Sequence, residues 1–221
     1  MCLRESTRLR EFAEERAVED SESAPWPPGG AYAFEQSAET SPRTGKDLRS
    51  VLVGRIEDMQ HELLNDDFSQ GQTLKCLTPE REVQKWVADR LRLKQGRSYS
   101  VEREPHVVEE KEPDVRIRAK ATDANVSVEI KIAESWTLAE LDDALETQLC
   151  CRYLRSDQGR YGVLLVVHQK ARPMGWVEKA NGTCLTFAEV VARLRARALA
   201  ISGASHNAPQ PEIAVLDVSS C

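Results

Sequence analysis

The sequence predicts an α/β fold: a three-layer α/β/α sandwich with a central mixed sheet, plus a helical or disordered N-terminal extension. Three observations predict it. Asp114–Arg118 and Val126–Ile132 alternate polar and aliphatic residues with the period of a strand. Gly162–His168 is an apolar run of buried-strand length. Thr137/Glu140 and Thr186/Glu189 have the spacing of capping boxes, each opening a helix between or after those strands.

Taken in order, residues 1–20 are compatible with a charged helix. Residues 21–46 are rich in Ser, Pro, Gly and Ala, with Trp26-Pro27-Pro28-Gly29-Gly30 at their clearest, and read as a flexible linker. Residues 47–64 place Leu48, Val51, Leu52, Ile56, Met59 and Leu63 at helical spacing, and Asp66–Gly71 ends that helix. The reading is thus 1–46 as segment and linker, 47–75 as a helical lead-in, and 76–221 as the principal domain.

Thr78-Pro79-Glu80 reads as a helix start: a hydroxyl cap, proline in the first turn, then an acid on the dipole. Val83, Trp86, Val87 and Leu91 share one face of that helix. Ser98–Arg103 reads as a strand, followed by the two alternating strands joined through Ala119–Asn125. The helix after Thr137 runs to about Arg155, with Trp136 and Leu141 as a hydrophobic staple. The helix after Thr186 runs to about Ala200, and Glu212–Val218 supplies a last strand. The order is α-β-β-β-α-β-α-β.

Composition narrows the function classes. The 221 residues hold 30 Lys+Arg against 36 Asp+Glu, a net charge of −6. Residues 1–75 carry 9 Lys+Arg and 15 Asp+Glu, whereas residues 76–221 carry 21 of each. The acidic excess therefore lies outside the principal domain and does not exclude a nucleic-acid partner there. Should a nucleic acid bind there, the acidic N-terminal segment is placed to screen that face. No apolar run reaches the ~20 residues of a membrane helix. Charges occupy the N-terminal stretch where a signal peptide is apolar, and the six cysteines show no metal-ligand spacing. Both point to a cytoplasmic protein with free thiols.

The chemistry concentrates on Ser127-Val128-Glu129-Ile130-Lys131. Strand period puts Ser127, Glu129 and Lys131 on one face, and Asp114, Arg116 and Arg118 on one face of the preceding strand. Antiparallel pairing with residue numbers summing to 243 or 245 sets Asp114 opposite Glu129 or Lys131. Either register gathers two carboxylates and a lysine. The following helix carries an apolar stripe of Leu138, Leu141, Leu145 and Leu149, and Gln148 and Arg152 share that side. Inward polar groups need partners, which a polar cleft between helix and sheet supplies. On the first helix, Glu80 lies nearer the apolar face than Glu82 does. Glu104 is a weaker candidate acid. The four histidines show no ligand spacing.

Pro113-Asp114 followed by Glu129-Ile130-Lys131 resembles the signature of the PD-(D/E)XK nuclease superfamily. Gln148 to Tyr153 is similar to the family's Q-x(n)-Y helix, and Glu80 to the acid of its first helix. The resemblance covers about residues 78–168. It implies a restriction-endonuclease-like core and a bacterial, Mg²⁺-dependent nuclease, with Mn²⁺ as substitute. Asp114, Glu129 and the carbonyl of Ile130 would hold the metal, Lys131 would activate water, and Glu80 would assist. Gln148, Arg152, Tyr153 and Arg155 would hold the nucleic-acid backbone, most simply DNA. It is also compatible with a homodimer or a larger, defence-related assembly, while the lack of a membrane-length apolar run argues against a membrane partner. The competing reading is a catalytically silent module of the same fold that binds nucleic acid or protein.

Overall fold

The computed structural model describes residues 41–95, 99–102, 113–156, 159–178 and 182–221. The expected charged helix and most of the linker, with Glu104 and His106, lie outside these residues.

Helix α1 (Gly45–Asn65) opens with a capping box between Thr44 and Asp47. Its buried residues Leu48, Leu52, Ile56, Met59 and Leu63 recur every three to four positions, as an amphipathic helix on a sheet requires. A short helix α2 (Gly71–Cys76), absent from the sequence reading, follows. Helix α3 runs Glu80–Leu93 with Pro79 in the capping position and no side-chain cap bond, so Thr78 does not act as the hydroxyl cap.

The strands are β1 (Tyr99–Glu102), β2 (Val115–Ala119), β3 (Asn125–Ile132), β4 (Tyr161–His168) and β7 (Gln210–Asp217). They form one mixed sheet in the order β1-β2-β3-β4-β7. β1, β2 and β3 pair antiparallel, while β3–β4 and β4–β7 are parallel. Two-residue strands β5 (Trp176–Val177) and β6 (Cys184–Leu185) form a separate ribbon that the sequence reading missed. A 3₁₀ turn (Ala133–Ser135) leads from β3 into α4 (Leu138–Asp143), which continues as a π-helix over Ala144–Tyr153. Helix α5 is Phe187–Ser202. Thr137 and Thr186 both form their expected capping boxes.

Two apolar clusters flank the sheet. One packs Val126, Val128, Ile130 and Ile132 of β3 against α1, α2 and α3. The other packs Leu164, Val166 and Ile213 beneath α4, the π-helix and α5. Residues 41–221 form one compact unit, and the composition change near residue 75 falls inside it.

Among the described residues β7 is an edge strand. The N–H of Gln210 donates to Arg160, so Gln210 and alternate residues after it turn their backbone toward β4. Pro211, Ile213, Val215 and Asp217 face the free edge. The Gln60 side-chain amide donates to the Asp217 carbonyl and accepts from its N–H. Arg49 donates to the Gln210 carbonyl and pairs with Glu212 at 2.9 Å. Among the described residues no helix is long and apolar enough to cross a membrane.

Candidate active site

The site grows from the β2–β3 register. Val115 pairs with Val128 and Arg116 with Ser127, the numbering sum of 243 among the two expected registers. Asp114 therefore stands level with Glu129. Because the aliphatics of β3 fill the first cluster, Ser127, Glu129 and Lys131 project to the opposite face. That face is apolar over β4 and β7 but polar over β1–β3, where Arg116 and Arg118 accompany them. Glu129 is only 4% exposed and Lys131 only 5%. Burying charge is costly without partners, and here the partners are one another.

Lys131 Nζ lies 2.7 Å from Glu129 Oε1 and 3.6 Å from Glu80 Oε1. Glu80, the first residue of α3, is half-buried, and its Oε2 accepts from the Ile132 N–H at 3.2 Å and Trp136 Nε1 at 2.8 Å. Glu82 is exposed. Asp114 Oδ2 accepts from the Ile130 N–H and Oδ1 from Gln84 Nε2, both at 2.7 Å. Trp136 offers its ring to Lys131, with Nζ 4.7 Å from the ring centroid.

The crowding has electrostatic consequences. Burial, with Glu129 adding to it, pushes the Asp114 carboxyl up to about 8. Burial also raises Glu129, while Lys131 opposes the shift. For Lys131, burial favours the neutral amine, but Glu129, Glu80 and Asp114 together hold it above the usual lysine range. Glu129 Oε2 is buried with no hydrogen-bond partner among the described residues. Such an atom needs an explanation.

The other candidates divide. Arg152 and Tyr153 are half-buried and hydrogen-bonded to each other. Arg152 favours the charged form of Glu129, and burial followed by Glu129 raises the Tyr153 hydroxyl. Gln148 is half-buried on the same π-helix. Arg155 is exposed just beyond it, and its side chain donates to the Cys151 carbonyl. Gln84 and Trp136 were not foreseen. Gln84 had a legible signal, one helical turn after Glu80 on the same face. Trp136 was read only as a staple.

The donor set suits a hard cation. Mg²⁺ commonly takes one or two carboxylates and completes its shell with water and phosphate oxygens. Asp114, Glu129 and the Ile130 carbonyl fit that pattern, and the unpartnered Glu129 Oε2 is free to coordinate. Among the described residues no three His, Cys, Asp or Glu side chains make a ready cage. The residues define an α/β protein with a buried carboxylate–lysine cluster on the polar half of its sheet. A scan against protein-family models, a search of curated proteins and a search of solved structures each find no match to the chain.

Proposed function

We propose that this protein is a divalent-metal-dependent nuclease that hydrolyses DNA phosphodiester bonds, built on a restriction-endonuclease-like core of the PD-(D/E)XK type. The observation that carries the reading is Glu129. Its carboxylate is buried, held by Lys131 through one oxygen and unpartnered at the other, beside Asp114. That arrangement costs the fold stability and is explained by a cation and an anionic substrate. The mixed sheet, with apolar clusters on both faces, supports the proposed core.

Asp114, Glu129 and the Ile130 carbonyl would hold Mg²⁺ or Mn²⁺. Bound there, the metal supplies charge neutralisation on the phosphate and a more acidic water. Lys131, held as an ammonium, orients that water and offsets charge building on the phosphate oxygens. Glu80 keeps Lys131 in place. Arg152, Tyr153 and Gln148 line the same side and suit phosphate contacts, which position the backbone without reading bases.

The test is a cleavage panel of duplex, nicked, branched and single-stranded DNA with Mg²⁺ or Mn²⁺, run beside Lys131→Ala. We expect metal-dependent cleavage that falls by at least about 10²-fold in the variant. Folded protein that cleaves none of these with either metal overturns the reading.

A second reading, a silent module that binds nucleic acid or protein, is favoured by one observation. Lys131 already pairs with Glu129 Oε1 at 2.7 Å, so the charge of that carboxylate is balanced without a cation. Calorimetric titration with Mn²⁺ separates the two. Binding that is lost in Asp114→Ala supports the enzyme, and absent or unchanged binding supports the module.

A further inference from the structure

We propose that Trp136 is a positioning residue: one indole fixes both the Lys131 ammonium and the Glu80 carboxylate at the Asp114–Glu129 site. The inference rests on the nuclease reading above for its catalytic consequence, but not for its geometry.

The indole uses two different surfaces. Its edge donates from Nε1 to Glu80 Oε2 at 2.8 Å. Its face meets Lys131, with Nζ 4.7 Å from the ring centroid, inside the range of a cation–π contact. The other oxygen of the same Glu80 carboxylate lies 3.6 Å from Lys131 Nζ. Trp136, Glu80 and Lys131 therefore close a triangle in which each member touches the other two. A lysine on a four-carbon stem has many rotamers. Glu129 alone fixes one direction, and the triangle supplies the second and third.

Trp136 is itself anchored through its backbone. Its carbonyl accepts from Trp176 Nε1 at 3.1 Å and from Arg172 at 3.2 Å, and its N–H donates to Ala133. The β5–β6 ribbon thus fixes the segment from which the indole reaches the site. A staple role against Leu141 does not account for this, because leucine would serve as well. A partly buried indole N–H needs an acceptor, and the acceptor here is a carboxylate already engaged by the Ile132 N–H.

Two substitutions separate the roles. Trp136→Phe keeps a ring face and loses the N–H. Trp136→Leu keeps an apolar staple and loses both. The first readout needs no activity: the ring current of the indole shifts the Lys131 Cε–H resonances upfield in ¹³C-lysine spectra, assigned by their loss in Lys131→Arg. We expect the shift in the wild type, a reduced shift in Trp136→Phe and none in Trp136→Leu. The second readout is cleavage, where kcat falls about 10-fold in Trp136→Phe and about 10²-fold in Trp136→Leu with KM nearly unchanged. An unshifted Lys131 resonance in the wild type overturns the proposal, as does a folded Trp136→Leu with wild-type kcat. If the wild type cleaves no DNA but the indole-dependent shift is present, the nuclease reading falls and the positioning of Lys131 stands. Thermal melts confirm folding, and Trp136→Phe, which keeps a large aromatic ring, covers the case in which Trp136→Leu fails to fold.

Discussion

Asp114 stands one position beyond the Val115–Val128 pair, level with Glu129, and burial together with the Glu129 charge disfavours its ionisation. The proton that burial and this neighbour favour on Asp114 links the fold to pH. The Asp114 carboxyl is pushed up from its ordinary 3.8 to about 8 by the fold. Between those values the folded protein binds the extra proton, so stability falls as pH rises from about 4 to about 8. Glu129 is raised as well and acts in the same direction. The expected loss is on the order of a few kcal/mol. Urea midpoints of the metal-free protein should be higher at pH 5.5 than at pH 8, with a flatter profile in Asp114→Asn. Midpoints that rise across this window would contradict the shift.

Metal reverses that trend. Carboxylate ligands must be deprotonated to bind a cation. Mn²⁺ should therefore raise the melting temperature more at pH 8 than at pH 5.5, and the increment should vanish in Glu129→Gln. Equal increments at both pH values, or a full increment in the variant, would place the bound ion elsewhere.

The strands and caps were legible because their signals are local. Val126–Ile132 alternates strictly, and that alternation sends Glu129 and Lys131 to the same face as observed. Thr137 and Thr186 bond the backbone three residues on, as their spacing required. What was not legible depends on distant partners. A 3.6-residue helix was expected through Arg155, whereas the chain forms a π-helix from Ala144 to Tyr153. Leu154 donates to the carbonyl of Leu149, five residues back, and both leucines pack on Gly162 of β4. Only the sheet beneath could announce that widening. Spacing alone puts Gln84 on the face of Glu80, but its bond to Asp114, thirty residues away, depends on the tertiary fold.

Gly162 sets how closely the π-helix approaches the sheet. A Cβ there would lie 2.9 Å from both Leu149 Cδ1 and Leu154 Cδ2. Gly162→Ala should cost about 1–3 kcal/mol, the usual penalty of overpacking. It should also disturb Arg152 and Tyr153 more than Lys131. Chemical denaturation and backbone amide shifts would measure both, and a neutral substitution would mean the two leucines yield freely.

Arg152 tests substrate contact separately from chemistry. Arg152→Ala should weaken DNA binding and lower the slope of log K against log[salt] by about 1 in magnitude. Fluorescence anisotropy across a salt series reads this directly. An unaltered slope would assign Arg152 to Glu129 and Tyr153 alone.

Thr186 offers a control remote from the cluster. Thr186→Ala removes the cap that accepts from the Glu189 N–H. It should destabilise the protein by about 1 kcal/mol and leave Mn²⁺ binding unchanged. Altered metal affinity would show that α5 communicates with the site.

The β7 margin of the sheet carries a safeguard against sheet growth between molecules. An open strand edge is a template for sheet growth from molecule to molecule, the route to aggregation. At β7 the Gln60 amide occupies the backbone of Asp217 and Pro211 has no N–H to offer, which leaves only Ile213 and Val215 to recruit a neighbour. Among the described residues the opposite margin, β1, spans four residues. Among the described residues, sheet extension along β7 is thus restricted to the span between Pro211 and Asp217. Replacing Gln60 with an apolar residue would remove the plug and trade solubility for a longer adhesive edge.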